Sequence, residues 1–109
     1  MGEPLGGPVE RLERIRELVL EALSLLREAC RSVCARESCE RLEDPVAAAM
    51  DEAEEAARLG APWLRLQSLQ QAARMLEEEA SRLEAAGCVE EAGLLREAAR
   101  RLYMADALA

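Results

Sequence analysis

The residues of this chain best able to do chemistry are four cysteines. Cys30, Cys34 and Cys39 follow a C-x₃-C-x₄-C spacing, and Cys88 stands alone. Cys30 and Cys34 are one helical turn apart, so in a helix both thiols project from one edge. Three readings fit these spacings. In the first, Cys30 and Cys88 are small core residues on apolar helix faces, and Cys34 and Cys39 are incidental. In the second, a disulfide joins the first helix, or the loop after it, to Cys88. Cys34–Cys88 and Cys39–Cys88 are then the feasible bonds, because an i,i+4 pair such as Cys30–Cys34 does not present disulfide geometry in a regular helix. In the third, Cys30, Cys34, Cys39 and Cys88 supply thiolates to Zn²⁺, Cu(I) or an iron–sulfur cluster. The x₃ and x₄ spacings match neither the C-x₂-C of a zinc knuckle nor the usual ferredoxin run. Cys88 falls at the start of a predicted helix, where exposed amides and the dipole favour a thiolate, which makes it the expected most reactive thiol.

Little other catalytic equipment is present. The chain has no His, and all 14 of its basic residues are Arg. Imidazole bases and ligands, Cys-His and Ser-His nucleophiles, Schiff-base lysines and P-loop lysines are therefore excluded. The runs Glu54-Glu55, Glu77-Glu78-Glu79 and Glu90-Glu91 interleave with Arg and largely avoid the apolar seams. They read as solvated, ion-paired faces rather than a di-metal or acid–base centre. Gln67, Gln70 and Gln71 form an uncharged polar patch near Trp63, read as a neutral helix flank, with Trp63 closing the bundle end opposite the cysteines. Beyond Met1, the methionines Met50, Met75 and Met104 are too dispersed for an adaptable binding groove.

The positioning elements follow from composition and punctuation. The 109 residues suffice for one domain with a real core. Only 2% are aromatic, and Phe and Thr are absent, so Leu, Ala, Val and Met must fill that core. Closely spaced helices suit such residues better than a sandwich or barrel. Gly7-Pro8 opens a helix, Asp44-Pro45 pairs an N-cap with a first-turn proline, Gly60-Ala61-Pro62 separates two helices, and Gly87 reads as a C′ residue. These signals predict helices at 9–38, 45–59, 62–86 and 88–107, after a flexible segment at 1–8, with 9–109 as a single domain.

Apolar residues recur at three-four spacing within each segment. Helix 1 gives Leu12, Ile15, Val19, Ala22, Leu26, Ala29 and Val33, its face widened by Leu18, Leu23 and Leu25. Glu37, just beyond, marks this helix leaving the core. Helix 2 gives Val46, Ala49, Ala53 and Ala56. Helix 3 gives Leu66, Leu69, Ala73, Leu76, Ala80 and Leu83, and helix 4 gives Cys88, Ala92, Leu95, Ala99 and Leu102. Short connections make sequential helices antiparallel. The expected fold is an all-α, up-down-up-down antiparallel four-helix bundle with a long first helix and a short second one, roughly 45 Å and 22 Å at 1.5 Å per residue. The Leu12–Leu20 stretch then lacks a neighbour, and with outward-looking Leu20 this favours a homodimer. The same topology brings all four cysteines to one end. The Leu64–Leu102 hairpin is similar to a tetratricopeptide-type repeat in its helix-Gly-helix form. It lacks that repeat's spaced Trp, Gly and Pro signature, so it reads as a generic helical hairpin.

A net charge of −8 disfavours nucleic acid and anionic membrane surfaces as partners. No apolar run reaches the ~20 residues that span a bilayer, and the N-terminus lacks the pattern of a signal peptide. A cytoplasmic location is the expectation, with the cysteines reduced or metal-bound rather than paired in disulfides. The functional expectation is a non-enzymatic helical-bundle scaffold or protein-interaction module without a cofactor, its partner another protein or a second copy. The reduced alphabet suits a de novo designed sequence as well as one from a GC-rich genome. The alternative expectation is a thiolate metal-binding or redox protein using the four cysteines.

Overall fold

In the computed structural model, residues 8–59 and 67–108 are described; they form four helices packed against one another, with no strand among them. The elements are α1 (Pro8–Ala29), a single 3₁₀ turn (Val33–Ala35), α2 (Arg36–Leu59), α3 (Gln67–Ala85) and α4 (Val89–Leu108). The expectations for Gly60, Pro62, Trp63, Leu66 and the segment before Pro8 lie outside the described residues.

Each helix packs on two others: α1 on α2 and α4, α3 on α2 and α4. The polar ties that join α3 to α4 and α2 to α3 run in opposite numerical order. Between α3 and α4, Gln70 meets Asp106, Glu77 meets Tyr103 and Glu84 meets Arg96. Between α2 and α3, Glu52 meets Ser68 and Ser38 meets Glu79. Arg16 of α1 lies 4.0 Å from Glu54 of α2, and Glu21 bonds to Arg101 of α4.

The first boundary differs from the one expected. Helix 1 was expected to run to residue 38 and helix 2 to start at Asp44-Pro45; instead α1 ends at Ala29, and α2 runs through Pro45. The amides just past α1 tighten to i−3 acceptors, Arg31 to Glu28 at 3.2 Å and Ser32 to Ala29 at 3.1 Å. Ser32 then adopts extended backbone and accepts a 3.2 Å bond from the Cys34 amide, capping the 3₁₀ turn. Ala35 anchors that turn in the core, fully buried, whereas Val33, expected on the seam, is 77% exposed. Glu37, rather than leaving the core, sits exposed in the first turn of α2. Proline normally ends a helix because it lacks the amide and crowds the preceding turn. Here buried Ser38 and Leu42 before Pro45, and Val46, Ala49 and Ala53 after it, commit both halves of α2 to one core. Tertiary packing overrides the local signal.

The length mismatch disappears with this correction. α1 has 22 residues and α2 has 24, and Leu12, Ile15, Leu18 and Val19 are all buried. The unpartnered stretch that favoured a homodimer is therefore covered, although Leu20 stays 44% exposed. Among the described residues, every expected seam residue of the four helices except Val33 is buried.

The turn between α3 and α4 follows the expected chemistry. Gly87 has a φ of +90°, a left-handed conformation that glycine adopts at no steric cost. The Cys88 amide bonds back to the Leu83 carbonyl at 2.8 Å, and the Gly87 amide to that of Glu84 at 3.0 Å. This pair of bonds is the Schellman closure of α3. The Cys88 carbonyl then accepts the Ala92 amide at 3.0 Å, so Cys88 is the N-cap residue of α4.

Candidate functional site

All four cysteines meet at one end of the bundle, joined as two disulfides. Cys30 is bonded to Cys39 with Cα atoms 5.9 Å apart, and Cys34 to Cys88 at 6.4 Å. Both separations lie within the ordinary disulfide range. The first bond closes the short turn between α1 and α2, spanning 9 positions; the second crosses 54 positions to tie that turn to the start of α4.

The expectations divide accordingly. The shared end holds, the Cys34–Cys88 bond is formed, and Cys30 and Cys34 are not joined. Cys39 bonds to Cys30 rather than to Cys88, because the early end of α1 folds Cys30 back over the first turn of α2. Cys88, expected as a reactive thiol, is buried and bonded, and no cysteine is free. In this state none of the four offers a thiolate.

The environment of the Cys34–Cys88 bond is asymmetric. Cys34 lies exposed in the 3₁₀ turn and Cys88 is buried, while Cys30 and Cys39 are both half-buried. Glu91, one turn into α4, is half-buried. A carboxylate oxygen of Glu91 and the sulfurs of Cys34 and Cys88 all lie within 4.8 Å of one another. The Ser32 hydroxyl, helped by the Glu91 backbone amide, holds the Glu91 carboxyl below the usual carboxylate range.

A second polar centre, between α2 and α3, is one that sequence reasoning missed. Glu79 was read as part of a solvated acidic run, yet it is 4% exposed. Its carboxylate accepts bonds from the Ser38 hydroxyl at 2.8 Å, from Arg41 Nε and an Arg41 terminal nitrogen at 2.8 Å each, and from Arg82 at 3.1 Å. The Arg41 guanidinium lowers the Glu79 pKa first, with Ser38 and the charge of Arg82 adding to it, against the opposing effect of burial. The signal was faint. Glu79 falls three residues after Leu76 and four before Leu83, on the core face, but its partners on α2, Ser38 and Arg41, lie about 40 residues away.

Along α1 and α2, a groove of about 550 Å³ runs beside the Cys30–Cys39 bond, with Leu23, Leu26, Val46 and Met50 among its walls. Arg27, Arg36, Glu40, Glu43 and Asp51 also line it, so it carries both signs of charge. Gln67, Gln70 and Gln71 are exposed, and Gln70 donates to Asp106 at 3.1 Å, as befits a helix flank. No helix among the described residues is long and apolar enough to cross a membrane. Comparison with protein-family models, with characterised proteins and with solved structures finds no match to this chain.

Proposed function

We propose that the chain is a non-enzymatic, up-down-up-down four-helix scaffold, stapled at one end by two disulfides, that serves as a protein-interaction module. The observation carrying this reading is the pairing of all four cysteines. The groups that sequence offers as a reactive centre are consumed in two bonds, one closing the α1–α2 turn and the other holding that turn against the start of α4. The filled Leu/Ala core supports it, as does the absence of His and Lys from the chain. The partner class is protein, another chain or a second copy, since a charge of −8 repels nucleic acid and anionic membranes. Paired cysteines favour an oxidising compartment over the cytoplasm.

Thermal unfolding with and without a phosphine reductant tests the structural role of the bonds. The oxidised chain should melt higher by ten degrees or more, since about 1 kcal/mol shifts a domain of this size by roughly 4–8 °C. Equal melting temperatures, or turnover of a thiol or disulfide substrate that depends on Cys34 or Cys88, would overturn the scaffold reading. Light scattering separates monomer from homodimer.

A further inference from the structure

The Cys34–Cys88 bond has a neighbour that the Cys30–Cys39 bond lacks. Among the described residues, one group of metal-binding side chains converges, and it consists of Cys34, Cys88 and Glu91, with ligand atoms within 4.8 Å of one another. Cys88 and Glu91 are spaced i,i+3 at the start of α4, which puts both on one helix face. Cys34 approaches from the 3₁₀ turn and supplies the remote third donor. A Cα separation of 6.4 Å between the cysteines leaves room for their sulfurs to part and flank an ion. Exposure of Cys34 leaves that side open to water.

We propose that reduction of the Cys34–Cys88 disulfide turns this cluster into a Zn²⁺ site ligated by Cys34 Sγ, Cys88 Sγ and a Glu91 carboxylate oxygen, with water in the fourth position. Reduction breaks one S–S bond with two electrons and two protons and leaves two thiols. A phosphine supplies the electrons and takes up the oxygen of one water. Zn²⁺ then displaces both thiol protons and forms two Zn–S bonds and one Zn–O bond. Two thiolates and a carboxylate carry three negative charges, of which a divalent ion of borderline softness offsets two. Three protein ligands and a water is the pattern of an open zinc site, not a closed structural one. The metal would also restore, non-covalently, the tie between the turn and α4 that reduction removes. Oxidation by a small-molecule disulfide, which accepts the two electrons and is itself cleaved to two thiols, re-forms the Cys34–Cys88 bond and expels the ion, because sulfurs in a disulfide are not thiolates. The site uses two of the four cysteines and one carboxylate, and it does not depend on the scaffold reading.

The test uses Co²⁺ as a spectroscopic probe on the full chain, reduced with a phosphine under anaerobic conditions. Reduced wild type should bind one Co²⁺ per chain, with thiolate charge-transfer and tetrahedral d–d absorption that Zn²⁺ abolishes; the oxidised chain should show neither band. The Cys30→Ser/Cys39→Ser double variant should keep the spectrum. Cys34→Ser and Cys88→Ser should lose it, and Glu91→Gln should weaken binding at least about tenfold, the loss seen even for groups that merely support a ligand. Circular dichroism shows whether each variant remains helical, and the wild-type spectrum decides the matter should a variant unfold. No thiolate–Co²⁺ band in reduced wild type overturns the proposal. So does loss of the band in Cys30→Ser/Cys39→Ser, which points to a four-thiolate site, or unchanged affinity in Glu91→Gln. None of these outcomes alters the melting behaviour that tests the scaffold reading.

Discussion

Cys34, in the turn after α1, is bonded to Cys88, 54 positions later at the N-cap of α4. The bond joins the turn after the first helix to the start of the last one, so it constrains much more of the unfolded chain than its companion does. Cys30–Cys39 spans 9 positions and constrains one turn.

Loop closure turns this difference into a ranking. Loops of these sizes correspond to about 4 and about 2.5 kcal/mol of unfolded-state entropy at 25 °C, as upper values. Cys34→Ser/Cys88→Ser should therefore lower stability more than Cys30→Ser/Cys39→Ser, by about 1–2 kcal/mol in urea titration. The reverse order would mean that the short staple contributes more to native α2 than to the unfolded chain.

The Glu79 centre makes stability pH-dependent. Its folded pKa lies below the ordinary value, chiefly through Arg41, so the unfolded chain takes up the proton first as pH falls. The contribution is complete well above the unfolded value of about 4.3. It declines below that value and is lost once pH has passed through the lower folded pKa. Glu79→Gln should cost about 1–2 kcal/mol at neutral pH, a modest figure because Arg41 and Arg82 keep their head groups in water. Stability of wild type and Glu79→Gln, compared from pH 7 down to pH 3, should converge.

Pro45 sits inside α2, where proline is about 3 kcal/mol less favourable than alanine. Its restriction of the unfolded chain offsets about 1 kcal/mol of that. Pro45→Ala should stabilise the bundle by about 1–2 kcal/mol. A loss of stability would place the helix boundary at Asp44 after all.

How much of this was legible in the sequence differs sharply by residue. Seam positions such as Leu76, Ala80 and Leu95 were readable because three-four periodicity is local and the core honours it. Gly87 was readable because left-handed backbone selects glycine almost by itself. The α1–α2 break was not. Ser32 can cap, but Asp44-Pro45 is the stronger local signal, and it loses only because Ser38, Leu42 and Ala35 find burial across the bundle. That misplacement also hid the Cys30–Cys39 pairing, since an unbroken helix holds those residues more than two turns apart. Glu79 needed Ser38 and Arg41, partners that no local pattern names.

Val33 and Leu26 distinguish the observed break from a continuous first helix. Val33→Ser should change stability by no more than about 0.5 kcal/mol, as at other exposed positions. Leu26→Ala should cost about 2–5 kcal/mol, because Leu26 is buried. Equal, large costs at both positions would restore Val33 to the seam.

The pairing of the cysteines is tested most directly by peptide mapping of the non-reduced chain. Cleavage after arginine places each cysteine on its own peptide: 28–31, 32–36, 37–41 and 83–96. Mass spectrometry should find 28–31 linked to 37–41, and 32–36 linked to 83–96. Four separately alkylated peptides, or a link between 37–41 and 83–96, would contradict the stapled bundle.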